Sequence, residues 1–174
     1  MSRYMLFKGV IQTALHKLNL INIERLMEKL TLDYKGKSEE ELIQITHDWF
    51  KKDVVPAIAK DAIQKVKWHQ EQGHYTSVLS SATQYVCEQV KDYLGLDATL
   101  NTHVEVKDGF LTGKLIKPLC YHDGKKHYAE LLAQEHNLDL EHSFFYTDSV
   151  TDIPMLDAVG HPIVINPDPL LKIQ

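Results

Sequence analysis

The stretch FFYTDSVTDIPML, residues 144–156, places two aspartates directly after an apolar run. Asp148 follows the run at once, and Asp152 comes shortly after it. One explanation is an ordinary turn in which Asp152 caps the next short helix. The other is a magnesium site, because Mg²⁺ binds through one or two carboxylates together with substrate phosphate oxygens. We expect Asp148 to end a buried strand, where a carboxylate is costly unless it is paired or bound to a cation.

Two further polar clusters are candidates for binding a phosphate group. Ser81, Ala82 and Thr83 follow the apolar run TSVL and open a predicted helix, and Lys125 opens another. The hydroxyls can simply be helix caps, and the lysine can be an ordinary surface residue. However, hydroxyls and free amides at a helix N-terminus also bind phosphate, and a lysine balances the remaining charge. Taken together, the three clusters predict phosphate chemistry.

The elements that position these clusters follow from hydrophobic periodicity. Residues 1–60 show only the helical i, i+3, i+4 pattern, in a first helix through Val10 to Leu18, a second through Ile23 to Leu30 and a third through Leu42 to Phe50. Ser38 and Glu41 predict a capping box for the third helix, and Pro56 marks its end. We therefore interpret residues 1–60 as a helical segment.

From residue 61 onward, predicted strands alternate with predicted helices, which favours a parallel sheet covered by helices. The strands are HYTSVLSS, SFFYTD and HPIVIN; helices stop at Gly73 and Gly95, and another covers about Lys125 to His136. Asp108-Gly109 predicts a hairpin within THVEVKDGFLTGKL. Residues 61–174 are thus predicted to form an α/β core. Ligands bind beyond the carboxyl ends of parallel strands, where the serine and aspartate clusters lie.

Composition excludes several classes of function. A net charge of −5 without a basic block gives no reason to expect a nucleic-acid partner. No apolar run is long enough to cross a membrane, and the N-terminus does not have the pattern of a signal peptide. Cys87 and Cys120 are too few for a disulfide framework, so we expect a cytoplasmic protein. The sequence does not indicate an oligomeric state.

The motifs SVLSSAT, CYHDGK and YTDSVTDIPMLDAVGHPIVINPDP together resemble motifs II, III and IV of the haloacid dehalogenase superfamily, in particular its phosphoserine-phosphatase-like subfamily IB. This resemblance implies a Rossmann-like parallel sheet with a helical cap of the C1 type. It also implies Mg²⁺ as cofactor and a small phosphorylated metabolite as substrate. In this family, Thr147 stands where glycine is usual.

The resemblance assigns roles to individual residues. Ser81, with the backbone amide of Ala82, matches the phosphate-binding serine motif, and Lys125 matches the catalytic lysine. Asp148 matches the magnesium ligand, whereas Asp152 matches the acid that supports the metal through water or orients the lysine. Thr151, between the two acids, is a further candidate for substrate binding.

The family's first motif is missing from the sequence. Family members begin with a strand that ends in D-x-D-x-T, whose first aspartate attacks phosphorus and whose second is general acid and base. No D-x-D occurs in the 174 residues. We expect an N-terminal truncation that removes the central strand of the sheet, and hence marginal stability or aggregation through exposed strand edges.

Three functions remain open at this point. The first is a magnesium-dependent phosphomonoester hydrolase that acts through an aspartyl-phosphate in the full-length protein, with the present chain inactive. The second is a non-catalytic remnant that binds phosphate or a protein. The third is a phosphotransferase of the same superfamily.

Overall fold

The computed structural model describes residues 23–173, so the first predicted helix, Val10 to Leu18, lies outside the described residues. The described α-helices are α1 (Ile23–Leu32), α2 (Glu39–Trp49), α3 (Lys60–Glu71), α4 (Gln84–Leu94), α5 (Asp123–His136) and α6 (Ile153–Leu156). The strands are β1 (Ser77–Thr83), β2 (Ala98–Thr102), β3 (Val104–Lys107), β4 (Phe110–Leu115), β5 (Phe144–Thr147) and β6 (His161–Val164). Within this range no helix combines the length and apolarity that a membrane span requires.

Most helix and turn boundaries follow the local sequence. Ser38 is the N-cap of α2, and its side chain accepts a hydrogen bond from the Glu41 amide at 3.4 Å. Gly95 ends α4 in the left-handed region at φ 65°, which glycine adopts without steric cost. Asp108 and Gly109 both have positive φ, as a tight hairpin between β3 and β4 requires. These predictions are confirmed.

The described strands form three ladders of two strands each. β1 runs parallel to β2, β5 runs parallel to β6, and β3 and β4 are antiparallel. Strand β2, Ala98–Thr102, was not predicted, because its sequence ATLNT is only five residues long and contains just two apolar residues. The expected loss of a central strand remains a prediction.

The described chain divides into two compact units, and the first is Thr31–Cys120. Its hydrophobic core joins Tyr85 of α4 to Val104 and Leu111 of the hairpin, and Tyr34 and Leu42 pack against these three. Backbone hydrogen bonds also link the loop before α2 to the hairpin, from the amides of residues 36 and 39 to the carbonyls of residues 111 and 109. The loop before α2 and the first turns of α2 are therefore anchored on the hairpin.

The described part of the second unit comprises residues 23–30 and 121–173. In it α5 packs against α6, and β5 pairs with β6. The boundaries of both units differ from the predicted boundary at residue 60. That boundary was based on hydrophobic periodicity along the chain, whereas hydrogen bonds join the loop before α2, on one side of residue 60, to the hairpin on the other side. The division into residues 1–60 and 61–174 stays a prediction.

Candidate functional site

A buried ion pair occupies the centre of the candidate site. Lys125 Nζ lies 2.7 Å from Asp152 Oδ1 and 2.8 Å from Oδ2, and the two residues are only 9% and 3% exposed. Lys125, Ala129 and Ala133 form one buried stripe along α5, since residues four apart share a helix face. The two alanines are small, and α6, which begins directly after Asp152, packs against α5. The surface-lysine interpretation of Lys125 is therefore wrong.

Asp152 does not act as a helix cap. It stands at the N-cap position of α6, but its side chain makes no capping hydrogen bond there. Its carboxylate instead accepts a hydrogen bond from the Thr147 hydroxyl at 2.7 Å, in addition to those from Lys125. Thr151 Oγ1 lies 3.5 Å from Oδ1. The capping interpretation of Asp152 is wrong, because the charged amine of Lys125 engages both of its oxygens.

Thr147 connects the end of β5 to the site. Besides donating to Asp152, its hydroxyl accepts a hydrogen bond from the Ser149 amide at 3.1 Å. Ser149 Oγ in turn lies 2.9 Å from Thr151 Oγ1 and accepts from the Thr151 amide at 3.3 Å. The residue that stands in place of the usual glycine thus orients the loop and the acid together.

Asp148 lies at the carboxyl end of β5, in the same loop as Ser149. Its side chain is exposed, so the argument that a buried carboxylate there needs a cation does not hold in this structure. Exposure nevertheless leaves the carboxylate accessible to a solvated ion. Its backbone carbonyl accepts a hydrogen bond from the Asp168 amide at 2.8 Å.

The residues of this unit fit a magnesium ion through one carboxylate. Both oxygens of Asp152 are already engaged by Lys125, whereas Asp148 is exposed. Over residues 23–173, no group of three or more His, Cys, Asp or Glu residues is arranged to hold a metal ion. Magnesium often keeps several waters and is bound through one or two carboxylates plus substrate phosphates. Asp148 can provide that carboxylate, with Asp152 placed to orient the lysine.

Tyr121 adds a further polar group near the ion pair. Burial raises the pKa of its phenol, and the negative charges of Asp152 and Glu24 raise it further. The phenol therefore remains protonated, and it can donate a hydrogen bond throughout the neutral range. Tyr121 was not singled out from the sequence, because an aromatic residue before a helix is usually part of the core.

Asp168 is a second residue that sequence reasoning missed. It is 5% exposed, and its carboxylate accepts hydrogen bonds from the amides of Val150, Leu170 and Leu171 at 2.9–3.1 Å. It lies within the last of the family motifs, in NPDP, and was assigned no role there from the sequence.

Ser81 and Ala82 belong to the other unit, Thr31–Cys120. They lie in β1 where its register with β2 shifts: Leu79 opposes Leu100, whereas Thr83 opposes Thr102. This bulge separates residues 80–82 from the regular ladder. The Ala82 amide is held by the Ser80 hydroxyl at 3.2 Å, and Thr83 is the N-cap of α4 without a side-chain capping bond. The helix-cap interpretation of these hydroxyls is therefore wrong.

A sequence model described as haloacid dehalogenase-like hydrolase matches residues 4–157. The chain is 31% identical over 146 residues to a probable phosphatase of Mycobacterium tuberculosis, covering 84% of this chain and 50% of that protein. It is 28% identical over 138 residues to a phosphoserine phosphatase of the same organism, covering 79% and 45%. The chain thus spans about half the length of these relatives.

Solved structures share the fold. A Bordetella pertussis protein of unknown function superposes with a TM-score of 0.85 at 23% identity, over 95% of this chain and 76% of that one. A phospho-aspartyl intermediate analogue of phosphoserine phosphatase gives 0.70 at 23% identity, over 92% and 74%. The α/β architecture with parallel strands is therefore confirmed.

Proposed function

Since the chain belongs to the haloacid dehalogenase-like hydrolase family, we propose that it carries the magnesium- and phosphate-binding half of a phosphomonoester hydrolase site. The observation that carries this proposal is the buried Lys125–Asp152 pair beside the loop of Asp148. A buried lysine amine held by a carboxylate is a fixed positive charge, which suits a phosphoryl group. The relatives named as phosphatases support the same reaction class.

Each residue has a role in this proposal. Asp148 holds Mg²⁺, which supplies charge neutralisation for phosphate oxygens when it is bound. Asp152 orients Lys125, and the lysine amine binds the phosphoryl group. The Thr151 hydroxyl is a further substrate contact. That Ser81 and the Ala82 amide bind phosphate stays a prediction; this amide donates a hydrogen bond to the Ser80 hydroxyl at 3.2 Å.

The full reaction in this family needs a carboxylate nucleophile. That carboxylate forms a bond to phosphorus while the bond to the alcohol oxygen breaks, and water then hydrolyses the aspartyl-phosphate to inorganic phosphate. No D-x-D motif lies within the 174 residues. We therefore propose that this chain by itself binds the cation and phosphate but does not catalyse hydrolysis of the phosphomonoester. The substrate of the complete site is a small phosphorylated metabolite.

A cytoplasmic location agrees with the state of the cysteines. Cys87 and Cys120 are buried thiols, and neither takes part in a disulfide.

Titration calorimetry with MgCl₂ tests the proposal. Asp148→Asn removes the carboxylate charge without changing its volume, and we expect at least about tenfold weaker Mg²⁺ binding. Asp157→Asn is the matched control, because Asp157 is an exposed aspartate at the end of α6 in the same unit. Equal Mg²⁺ affinity in the wild type and Asp148→Asn would remove Asp148 from the site. Hydrolysis of p-nitrophenyl phosphate by the purified chain would contradict the proposed lack of turnover.

A further inference from the structure

Asp168 is buried in the segment that follows β6, and the phosphatase proposal gives it no role. The residue is only 5% exposed, so the charge of its carboxylate must be compensated within the protein. Backbone amides of two separate segments contribute to this compensation. This distribution indicates that the side chain joins them.

The two oxygens of Asp168 serve different segments. Oδ1 accepts from the amides of Leu170 at 3.1 Å and Leu171 at 2.9 Å, which closes the turn at the start of the last 3₁₀ helix. Oδ2 accepts from the amide of Val150 at 3.0 Å, in the loop that carries Asp148. One carboxylate therefore holds both its own turn and the candidate cation loop.

A second hydrogen bond runs between the same two segments. The backbone amide of Asp168 donates to the carbonyl of Asp148 at 2.8 Å. The bonds to Asp148 and Val150 together enclose Ser149, in a loop that lies between β5 and the 3₁₀ turn Val150–Asp152. The bonds from the Asp168 segment therefore hold this loop in addition to its internal hydrogen bonds from Thr147 and Ser149.

We propose that Asp168 is a positioning residue that holds the Asp148 loop in the conformation that binds a divalent cation. The proposal rests on the proposed function, since it requires Asp148 to be the cation ligand. An exposed carboxylate on an untethered loop loses conformational entropy when it binds an ion, and prior ordering of the loop removes that cost. Residues that orient a metal ligand typically change metal affinity when they are substituted.

Asp168→Asn separates the two functions of the carboxylate. An asparagine oriented with its oxygen at the Oδ1 position keeps the hydrogen bonds from Leu170 and Leu171. Its amide group then faces the Val150 amide, and two donors cannot bond. The opposite orientation loses two hydrogen bonds and keeps only one. The substitution thus removes the side-chain hydrogen bond to the cation loop and preserves the turn, while the backbone hydrogen bond from residue 168 to the Asp148 carbonyl stays in place.

Val150→Pro breaks the same link from the other side. Proline has no amide hydrogen, and Val150 is the first residue of a 3₁₀ turn, a position that proline favours in helices. Ser149 has φ −107° and ψ 131°, an extended conformation that is compatible with a following proline. If Asp168→Asn fails to fold, this variant still tests the link.

Calorimetric titration with MgCl₂ measures the cation affinity of each variant. Electron paramagnetic resonance, which measures the concentration of free Mn²⁺, provides an independent check with a second cation. We expect each variant to bind about ten- to a hundredfold more weakly than the wild type. The double variant should bind no more weakly than either single one, because both remove one interaction. Asp139→Asn is the control. Asp139 also accepts a hydrogen bond from a backbone amide in a 3₁₀ turn of this unit, but that amide belongs to its own turn.

The outcomes separate the two proposals. Weakened binding in both variants, with unchanged binding in Asp139→Asn, supports the positioning role. Wild-type affinity in folded Asp168→Asn and Val150→Pro, accompanied only by a lower melting temperature, overturns it and leaves the proposed function intact. A wild-type chain that binds neither Mg²⁺ nor Mn²⁺ overturns the proposed function and this role with it.

Discussion

Lys125 and Asp152 form a two-point ion pair, with the lysine nitrogen within 2.8 Å of both carboxylate oxygens and both side chains nearly excluded from water. Desolvation of two charges is expensive, and such a pair is stabilising only when its hydrogen bonds are complete. Thr147 provides an additional donor to Asp152. The pair is therefore better explained by the need for a fixed charge than by a gain in stability.

Substitution of Lys125 should destabilise the fold strongly. Lys125→Met keeps most of the side-chain volume but leaves Asp152 buried without its cation, and we expect a loss of about 3–5 kcal/mol in the free energy of unfolding. Lys126→Met is the matched control, because the neighbouring lysine forms only an exposed pair with Glu130 at 3.9 Å. That control should change stability by less than about 0.5 kcal/mol. Urea unfolding measures both; equal effects would contradict the prediction.

Thr147 should matter through its hydroxyl and not through its size. Thr147→Val has nearly the same shape but removes the donor to Asp152 and the acceptor for the Ser149 amide. We expect a loss of about 1–3 kcal/mol from the groups left without partners. Thr147→Ser retains the hydroxyl and should lose less. A Ser variant that is as unstable as the Val variant in urea unfolding would show that the hydroxyl has no role.

His69 should lower the free energy of unfolding when the pH becomes acidic. His69 is buried with its Nδ1 2.8 Å from His74 Nδ1, and burial, then His74, then Lys65 lower the pKa of His69. The unfolded chain takes up the proton near pH 6.5, whereas the folded protein stays neutral until lower pH. Stability from this group is thus complete above about pH 6.5 and is lost as the pH falls, by at most about 1.4 kcal/mol per pH unit.

Urea unfolding between pH 8 and pH 5 measures this loss. His69→Asn removes the titrating ring, so the stability of that variant should fall less steeply with acidification. The matched substitution His136→Asn, at an exposed histidine of α5, controls for removal of an imidazole elsewhere. Parallel pH profiles for the wild type and His69→Asn would disprove the assignment.

Gly160 should tolerate no side chain. A Cβ atom there would overlap the backbone carbonyl of Glu141. The Gly160 amide donates a hydrogen bond to the Leu140 carbonyl at 2.9 Å, which holds these two segments of the chain in close contact. Gly160→Ala must shift backbone, and we expect a loss of about 1–3 kcal/mol. Ala158→Gly, two residues earlier, is a control for small substitutions in the same segment. A melting temperature for Gly160→Ala equal to that of the wild type would refute the close contact.

The periodicity and turn chemistry of the sequence were good guides to the fold. The Asp108-Gly109 hairpin, the stop of α4 at Gly95 and the cap at Ser38 are all confirmed, since each depends on the preferences of a few adjacent residues. Strand β2 was missed because its pairing with β1 defines it more than its own sequence does. The contact between the loop before α2 and the hairpin was missed for the same reason.

By itself, the sequence determined which side chains could bind phosphate and a cation, and in which order they follow the strands and helices. Tertiary structure alone decided their partners. Asp152 could cap its own helix or pair with Lys125, 27 residues away, and packing of α5 on α6 brings the lysine to it. Burial of Lys125 and the contact of Asp168 with the Asp148 loop likewise depend on chain segments distant in sequence. The conformational preferences of adjacent residues carry no information about contacts between segments that are far apart in the sequence.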